Sequence, residues 1–293
     1  MSERKKRRVI YDCDNTMGKP LSEIDDGLTL LYLLGRPELD VVGVTTTFGN
    51  GTVGDALRCT QRLLSELDRP EIPVFAGARE AGDDNTDAVA FLAETVTGAP
   101  GEIDVLATGP LGNIAGAARR DAGFFAAVRQ LSCMGGYLHK PFRVGSRDLD
   151  ELNLSADADA SQSVLTTGAA ATRVALFCGH VCLQAPFAAT HLAELSSRTL
   201  WPAERVELVA RWLSHFGSRY GVPHFFLWDL LPAVWLTHPE LFEVREMACA
   251  SGVDDLREGL VRVSESGAPF TLVTAITDMP VFYEVLFSSW GRV

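Results

Sequence analysis

Short β-branched runs alternate with longer helix-patterned segments through the first two thirds of the chain, and this rhythm is the strongest constraint on its fold. RVIYDCD (8–14) reads as a strand ending in acid. IDDGLTLLYLLG (24–35) has apolar residues at helical spacing and stops at Gly35, a helix-ending glycine. VVGVTTTFGN (41–50) reads as strand then turn, TVGDALRCTQRLLSEL (52–67) as an amphipathic helix, PVFAG (73–77) as a short buried strand and DAVAFLAETV (87–96) as a helix. IDVLATG (103–109), QLSCMGG (130–136) and RVALFCG (173–179) read as further strands, separated by helices over 110–120 and 155–168. Strands joined through helices need crossover connections, so they build a parallel sheet covered on both faces. The last third is more helical, over 201–221 and 228–238, with late strands at VRVSE and TLVTAIT. No linker or repeat divides the chain. The expected architecture is a single α/β domain over 1–293: a doubly wound, mostly parallel, Rossmann-like sheet with a helical C-terminal third and a basic tail at 1–7.

Charge and cysteine usage narrow the partners. Against 26 Lys and Arg stand 38 Asp and Glu, a net charge of −12, the wrong sign for a nucleic-acid surface. No apolar stretch approaches the roughly 18 residues a membrane helix needs, so no membrane partner is expected. The six cysteines are scattered, mostly in apolar runs where thiols pack as small hydrophobes. A chain this long needs no disulfides, which fits a reducing, cytoplasmic setting.

In an open parallel sheet, ligands bind beyond the carboxyl ends of the strands. After the first strand come Asp12 and Asp14, with Asp25 and Asp26 opening the next helix. Asn50 follows the second strand and Thr108 the fourth. Met134 ends the fifth, with Glu151 and Asn153 soon after. Clustered carboxylates repel one another unless a cation sits among them. All the donors are oxygens, which selects a hard ion, calcium or magnesium. A single Asp here could equally cap a turn or a helix N-terminus; the set is harder to explain that way.

Two families share the opening motif. VIYDCDNTM fits the start of a haloacid-dehalogenase-type, Mg-dependent phosphatase, with Asp12 as nucleophile and Asp14 as acid/base. That reading needs a Lys and a late acidic pair after a strand, and Asp254 and Asp255 follow only the weak ACASGV. Nearly the whole chain instead resembles the inosine–uridine-preferring nucleoside hydrolases. The resemblance runs in order through Asp12, Asp14, Asp25 and Asp26, then VTTTFGN, PVFAG, LATGPLGNIA, CMGG, ELNLSADADAS and WDLLPAVWLTHPELF.

The resemblance implies hydrolysis of the N-glycosidic bond of ribonucleosides. It implies a Ca2+ held by Asp14, Asp26, Asp229 and the Thr108 carbonyl, with Asp14 taking the proton of the attacking, ion-acidified water. It assigns the ribose hydroxyls to Asp25, Asn50, Met134, Glu151, Asn153 and Asp229, the base pocket to Trp228, and loop ordering through backbone N–H groups to Asp12. Relatives of this kind are commonly homodimers or homotetramers. Several segments depart from the family pattern: the 15–24 and 137–150 loops are longer, and a loop that closes over the base after PVFAG is missing. A non-catalytic nucleoside- or sugar-binding relative is therefore the third reading. The preferred base and the group that protonates it are not assigned; His224, Tyr220 and Arg219 lie just ahead of Trp228.

Overall fold

A computed structural model describes residues 5–293 of the chain. Its centre is a nine-stranded sheet. Along the chain run β1 (Arg7–Cys13), α1 (Asp25–Leu34), β2 (Leu39–Thr46), α2 (Val53–Glu66), β3 (Val74–Ala76), α3 (Asp87–Thr97), β4 (Ile103–Ala107), α4 (Gly112–Arg120) and β5 (Gln130–Met134). After a short hairpin (Arg143–Val144 with Arg147–Asp148) follow α5 (Ala158–Ser163), β6 (Val174–Phe177), α6 (Ala203–Tyr220), α7 (Leu230–Trp235), β7 (Phe242–Cys249), β8 (Val263–Ser264), β9 (Pro269–Ile276) and α8 (Met279–Trp290). Smaller helical turns and a two-stranded pair, Pro186–Ala188 with His224–Phe226, complete the set.

Across the sheet the strands lie in the order β8-β7-β9-β6-β5-β4-β1-β2-β3. β1 pairs in parallel with both β2 and β4, so the winding reverses between β1 and β4. That reversal opens a crevice at the strands' carboxyl ends, where doubly wound sheets bind ligands. Only the far edge departs from the parallel pattern: β7 runs antiparallel to β9 and β8.

The alternation of side chains along β1 divides the core in two. Val9, Tyr11 and Cys13 join one buried cluster with α1 and α8, through Leu28, Leu31 and Trp290. Ile10 points the other way, into a cluster with Val105, Leu131 and Ile114. Period-two geometry therefore buries both faces of the strand and sends Asp12 toward α4. The helices start where the sequence supplies caps. Thr52 accepts from the Asp55 N–H and Asp55 reaches back to the Thr52 N–H, a reciprocal capping box. Thr86 and Asp278 cap α3 and α8.

Several expectations shift in detail. Met1–Arg4 of the basic tail lie outside the described residues, and Arg7 is no longer tail: it opens β1, with its guanidinium paired to the buried Asp104 carboxylate. The helix read over 155–168 begins at Ala158 and loosens into a π-turn over Val164–Gly168. β7 and α8 were not anticipated by the sequence pattern. No helix among the described residues is long and apolar enough to cross a membrane.

Candidate active site

Residues at the ends of β2, β4 and β5 (Asn50, Thr108 and Met134), with Asp25 and Asp229, line one cavity of about 320 Å³, while Asp12, Asp14 and Asp26 are not part of its lining. Asp12 ends β1 and is fully buried. The Thr45 hydroxyl donates to its carboxylate at 2.6 Å and the Asn113 amide at 2.7 Å. Asn113 also donates to the Thr46 carbonyl and accepts from the Ala78 N–H, so it ties β1, β2 and the segment after β3 together. Asp12 is thus held by side chains rather than by the backbone N–H groups expected of it. Burial raises its carboxyl to about 7.

Asp14 lies one residue past β1, with one carboxylate oxygen accepting from the Asn50 N–H at 2.5 Å and the other without a partner. Gly49 lets that approach happen: its φ is +154°, and a Cβ there would stand 2.0 Å from an Asp14 carboxylate oxygen. Asp25 and Asp26 open α1 and are buried. Both oxygens of Asp25 lack hydrogen-bond partners. Asp26 accepts from the Thr108 hydroxyl at 2.8 Å and the Tyr11 hydroxyl at 3.1 Å. Asp229, from the other end of the chain, sits at the N-cap position of α7 without a side-chain cap hydrogen bond and is also buried.

Ligand atoms of Asp25, Asp26 and Asp229 lie within 4.8 Å of one another. Asp14 is near enough to Asp26 for the Asp26 charge to push its carboxyl up further, after burial. The trio that comes together is Asp25, Asp26 and Asp229, with Asp25 in the place expected of Asp14. Burial, then mutual repulsion, pushes Asp14, Asp25 and Asp229 well above the usual carboxylate range. Burial raises Asp26 to about 6 against the hydrogen bonds it accepts. Four buried acids, two of them with unpartnered oxygens, form a costly arrangement unless a cation compensates them. An all-oxygen donor set of this size is what a hard divalent cation takes.

Asp25, Asn50, Thr108, Met134, Glu151, Asn153, Trp228 and Asp229 all line the cavity. The Asn153 amide donates to the Thr108 carbonyl at 2.8 Å and to the Met134 carbonyl at 3.1 Å, joining the ends of β4 and β5. Glu151 accepts from the N–H groups of Gly136, Leu154 and Ser155, so both its oxygens are engaged by backbone.

The long 15–24 loop is pinned rather than loose. Asn15 bonds the Met17 N–H and the Thr60 hydroxyl, and the Arg62 guanidinium donates to the Met17 carbonyl. The loop delivers Glu23, which the sequence reading passed over, to the cavity wall beside Asp25. Burial raises the Glu23 carboxyl to about 8, with Arg219 and Trp228 opposing the shift. From α6 come Trp212, Phe216, Arg219 and Tyr220, whose spacing marks one helix face. His224 does not line the cavity. The acidic pair a phosphatase would need, Asp254 and Asp255, is paired instead with Arg257 and Arg262 at the far edge of the sheet.

Comparison with known proteins agrees with this geometry. Residues 9–282 match the family model described as inosine-uridine preferring nucleoside hydrolase. A probable uridine nucleosidase of Oryza sativa subsp. japonica is 30% identical over 294 aligned positions, covering 89% of this chain and 79% of that protein. A pyrimidine-specific ribonucleoside hydrolase of a Shewanella strain is 26% identical, covering 86% and 84% respectively. Among solved structures, a plant nucleoside hydrolase superposes with a TM-score of 0.84 at 22% identity, covering 97% of this chain and 99% of that one. A purine-preferring ribonucleoside hydrolase of Gardnerella vaginalis gives 0.83 at 19% identity, covering 97% and 98%. With a family match across nearly its whole length and the expected acids gathered at the sheet's switch point, the chain belongs to the inosine-uridine preferring nucleoside hydrolases, a family of N-glycosyl hydrolases.

Proposed function

We propose that the protein hydrolyses the N-glycosidic bond of ribonucleosides, releasing free base and ribose, with Asp14 as the general base. The observation that carries this reading is the buried trio Asp25, Asp26 and Asp229, with Asp14 also buried and unpartnered carboxylate oxygens on Asp14 and Asp25. Asp14, Asp26, Asp229 and the Thr108 carbonyl would hold a divalent cation, with Asp25 close enough to join them. When bound, such an ion supplies positive charge to the acid cluster and makes a water more acidic; calcium suits the irregular all-oxygen set.

The chain's own residues do the rest. Asp14 takes the proton of the attacking water; its Oδ2 is fixed by the Asn50 N–H, so the carboxylate needs little reorganisation as the proton arrives. Carbon–nitrogen cleavage leaves positive charge on the ribose ring, and the surrounding carboxylates favour that charge. Asp25, Asn50, Asn153 and Asp229 accept or donate hydrogen bonds to the ribose hydroxyls. Glu151 acts one step back, setting the backbone of the loop that carries Asn153. A site built to pair those hydroxyls rejects a deoxyribose, which would leave its polar groups unmatched. Trp228 offers a flat apolar face to the base.

The test is a nucleoside panel with calcium present, read by release of reducing sugar. Cleavage of ribonucleosides with little cleavage of 2′-deoxyribonucleosides supports the reading. Binding of nucleosides without release of base would favour a non-catalytic relative. The subunit arrangement, a homodimer or homotetramer, and a cytoplasmic setting belong to the same proposal; light scattering on the purified protein checks the first.

A further inference from the structure

A second cavity, of about 560 Å³, opens between α2 and α6 and shares no lining residue with the first. We propose that it binds a small phosphate-type oxyanion, with Arg205 as the anchor.

Arg205 lies in the first turn of α6 and lines the cavity, with its side chain only 6% exposed. Taking a guanidinium out of water is costly unless its donors are met. Here they are not. The buried Nε has no hydrogen-bond partner among the described residues, and the ion pair with Glu66 stands at 3.7 Å, too long for a hydrogen bond. The guanidinium carbon lies over the Trp201 ring, 5.6 Å from its centroid. A ring against one face leaves the N–H edge of the fork available, and that edge takes an oxyanion in bidentate fashion.

The neighbouring charges favour a dianion. Arg62, near the end of α2, lines the same cavity and lies 3.5 Å from the same Glu66. One carboxylate therefore stands against two guanidiniums. Arg211 is matched on its own helix by Glu207, at 2.6 Å. Glu204 also lines the cavity but is exposed, where water screens it. Pro202, at the N-cap of α6, makes no side-chain cap hydrogen bond, so the positive end of the helix lies at the same wall. This local excess runs against a chain whose net charge is −12. A phosphate group brings nearly two negative charges and three or more acceptor oxygens.

The site also touches the 15–24 loop. Arg62 donates to the Met17 carbonyl at 3.1 Å, and Met17 and Gly18 line the cavity. The far end of that loop carries Glu23 to the first cavity.

The test is isothermal titration calorimetry on the full-length, calcium-loaded protein freed of excess calcium. Inorganic phosphate and methyl phosphate are titrated at an ionic strength fixed with chloride. Saturable binding of one anion per chain is expected. Tighter binding of methyl phosphate assigns the site to a phosphate monoester, and equal or tighter binding of inorganic phosphate to the free ion. Arg205→Leu is expected to weaken binding at least about tenfold, the scale of a lost charge-assisted hydrogen bond. Because it removes a buried charge whose donors are unmet, it should melt no lower than the native chain in phosphate-free buffer. Glu66→Gln removes the competing carboxylate and is expected to tighten phosphate binding. Absence of saturable binding, binding untouched by Arg205→Leu, a melting temperature well below native in that variant, or weaker binding in Glu66→Gln would each overturn the proposal. None of these results bears on ribonucleoside hydrolysis, which is read separately from uridine cleavage in phosphate-free buffer.

Discussion

The Thr108 hydroxyl donates a 2.8 Å hydrogen bond to the Asp26 carboxylate across 82 positions of sequence. That contact joins the end of β4 to the start of α1, the two elements that flank the point where the sheet's winding reverses. The Thr108 carbonyl in turn accepts from the Asn153 amide. One residue thus couples the acid cluster to the polar wall of the cavity, and the parallel register of β1 with β4 sets its position.

Replacing Asp14 tests the proton acceptor. Asp14→Asn keeps the side chain's shape and removes its basicity. Turnover is expected to fall by about 10²–10⁴-fold, the usual contribution of a general base, with the far-ultraviolet circular dichroism unchanged. Near-native turnover in this variant would remove Asp14 from the role.

Gly49 tests whether the placement of Asp14 matters as well as its charge. Its φ of +154° disfavours a side chain, and a Cβ would collide with the Asp14 carboxylate. Gly49→Ala should cost about 1–3 kcal/mol in stability and lower kcat by at least about tenfold, as expected when a catalytic group is displaced by an ångström. Urea unfolding and steady-state kinetics on the same preparation measure both. A variant with native kcat would show that the carboxylate tolerates displacement.

Asn113 tests the scaffold under the site. Truncation to Ala leaves the Ala78 N–H, the Asp12 carboxylate and the Thr46 carbonyl short of a buried partner. The cost is expected near about 3 kcal/mol, within the range for stranded buried polar groups. A change below about 0.5 kcal/mol in urea unfolding, the level of an ordinary surface substitution, would contradict the network.

Protons and cations should compete for the acid cluster. Burial holds Asp14, Asp25 and Asp229 above their ordinary range and Asp26 at about 6. Unfolded, these groups titrate near pH 4. Between that value and the raised ones the folded, cation-free chain holds more protons than the unfolded chain, so its stability rises as pH falls through the window and is lowest above it. A cation does at neutral pH what protons do in acid. Saturating calcium is expected to raise the melting temperature by about 5 °C or more at pH 8, and by less at pH 5. Asp229→Ala should weaken the effect. An equal rise at both pH values would argue for a site elsewhere.

The first five strands and their helices were legible because buried parallel strands read as unbroken apolar runs between capped helices. The strand-end acids were legible because they punctuate those runs. β7 was not: half of its residues are exposed, and FEVREMAC mixes charge into a strand at the antiparallel edge. α8 was hidden for the opposite reason, since MPVFYEVLFSSW is apolar nearly all round and carries no helical stripe. At the site, Glu23 lies in a loop with no motif to mark it. Only the pinning of the 15–24 loop through Asn15 and Arg62 brings it to the cavity. Glu151 is the converse case: its sequence context fits sugar binding, while its oxygens are engaged by neighbouring N–H groups. Trp212 and Tyr220 reach the cavity because one face of α6 lines it, a long-range arrangement that no local pattern encodes.

The most direct test is ribose release from uridine and inosine after exhaustive chelation, followed by titration with calcium. Activity should vanish on chelation and return in full as one ion binds per chain. Full activity in the chelated protein would contradict a cation held by Asp14, Asp26 and Asp229.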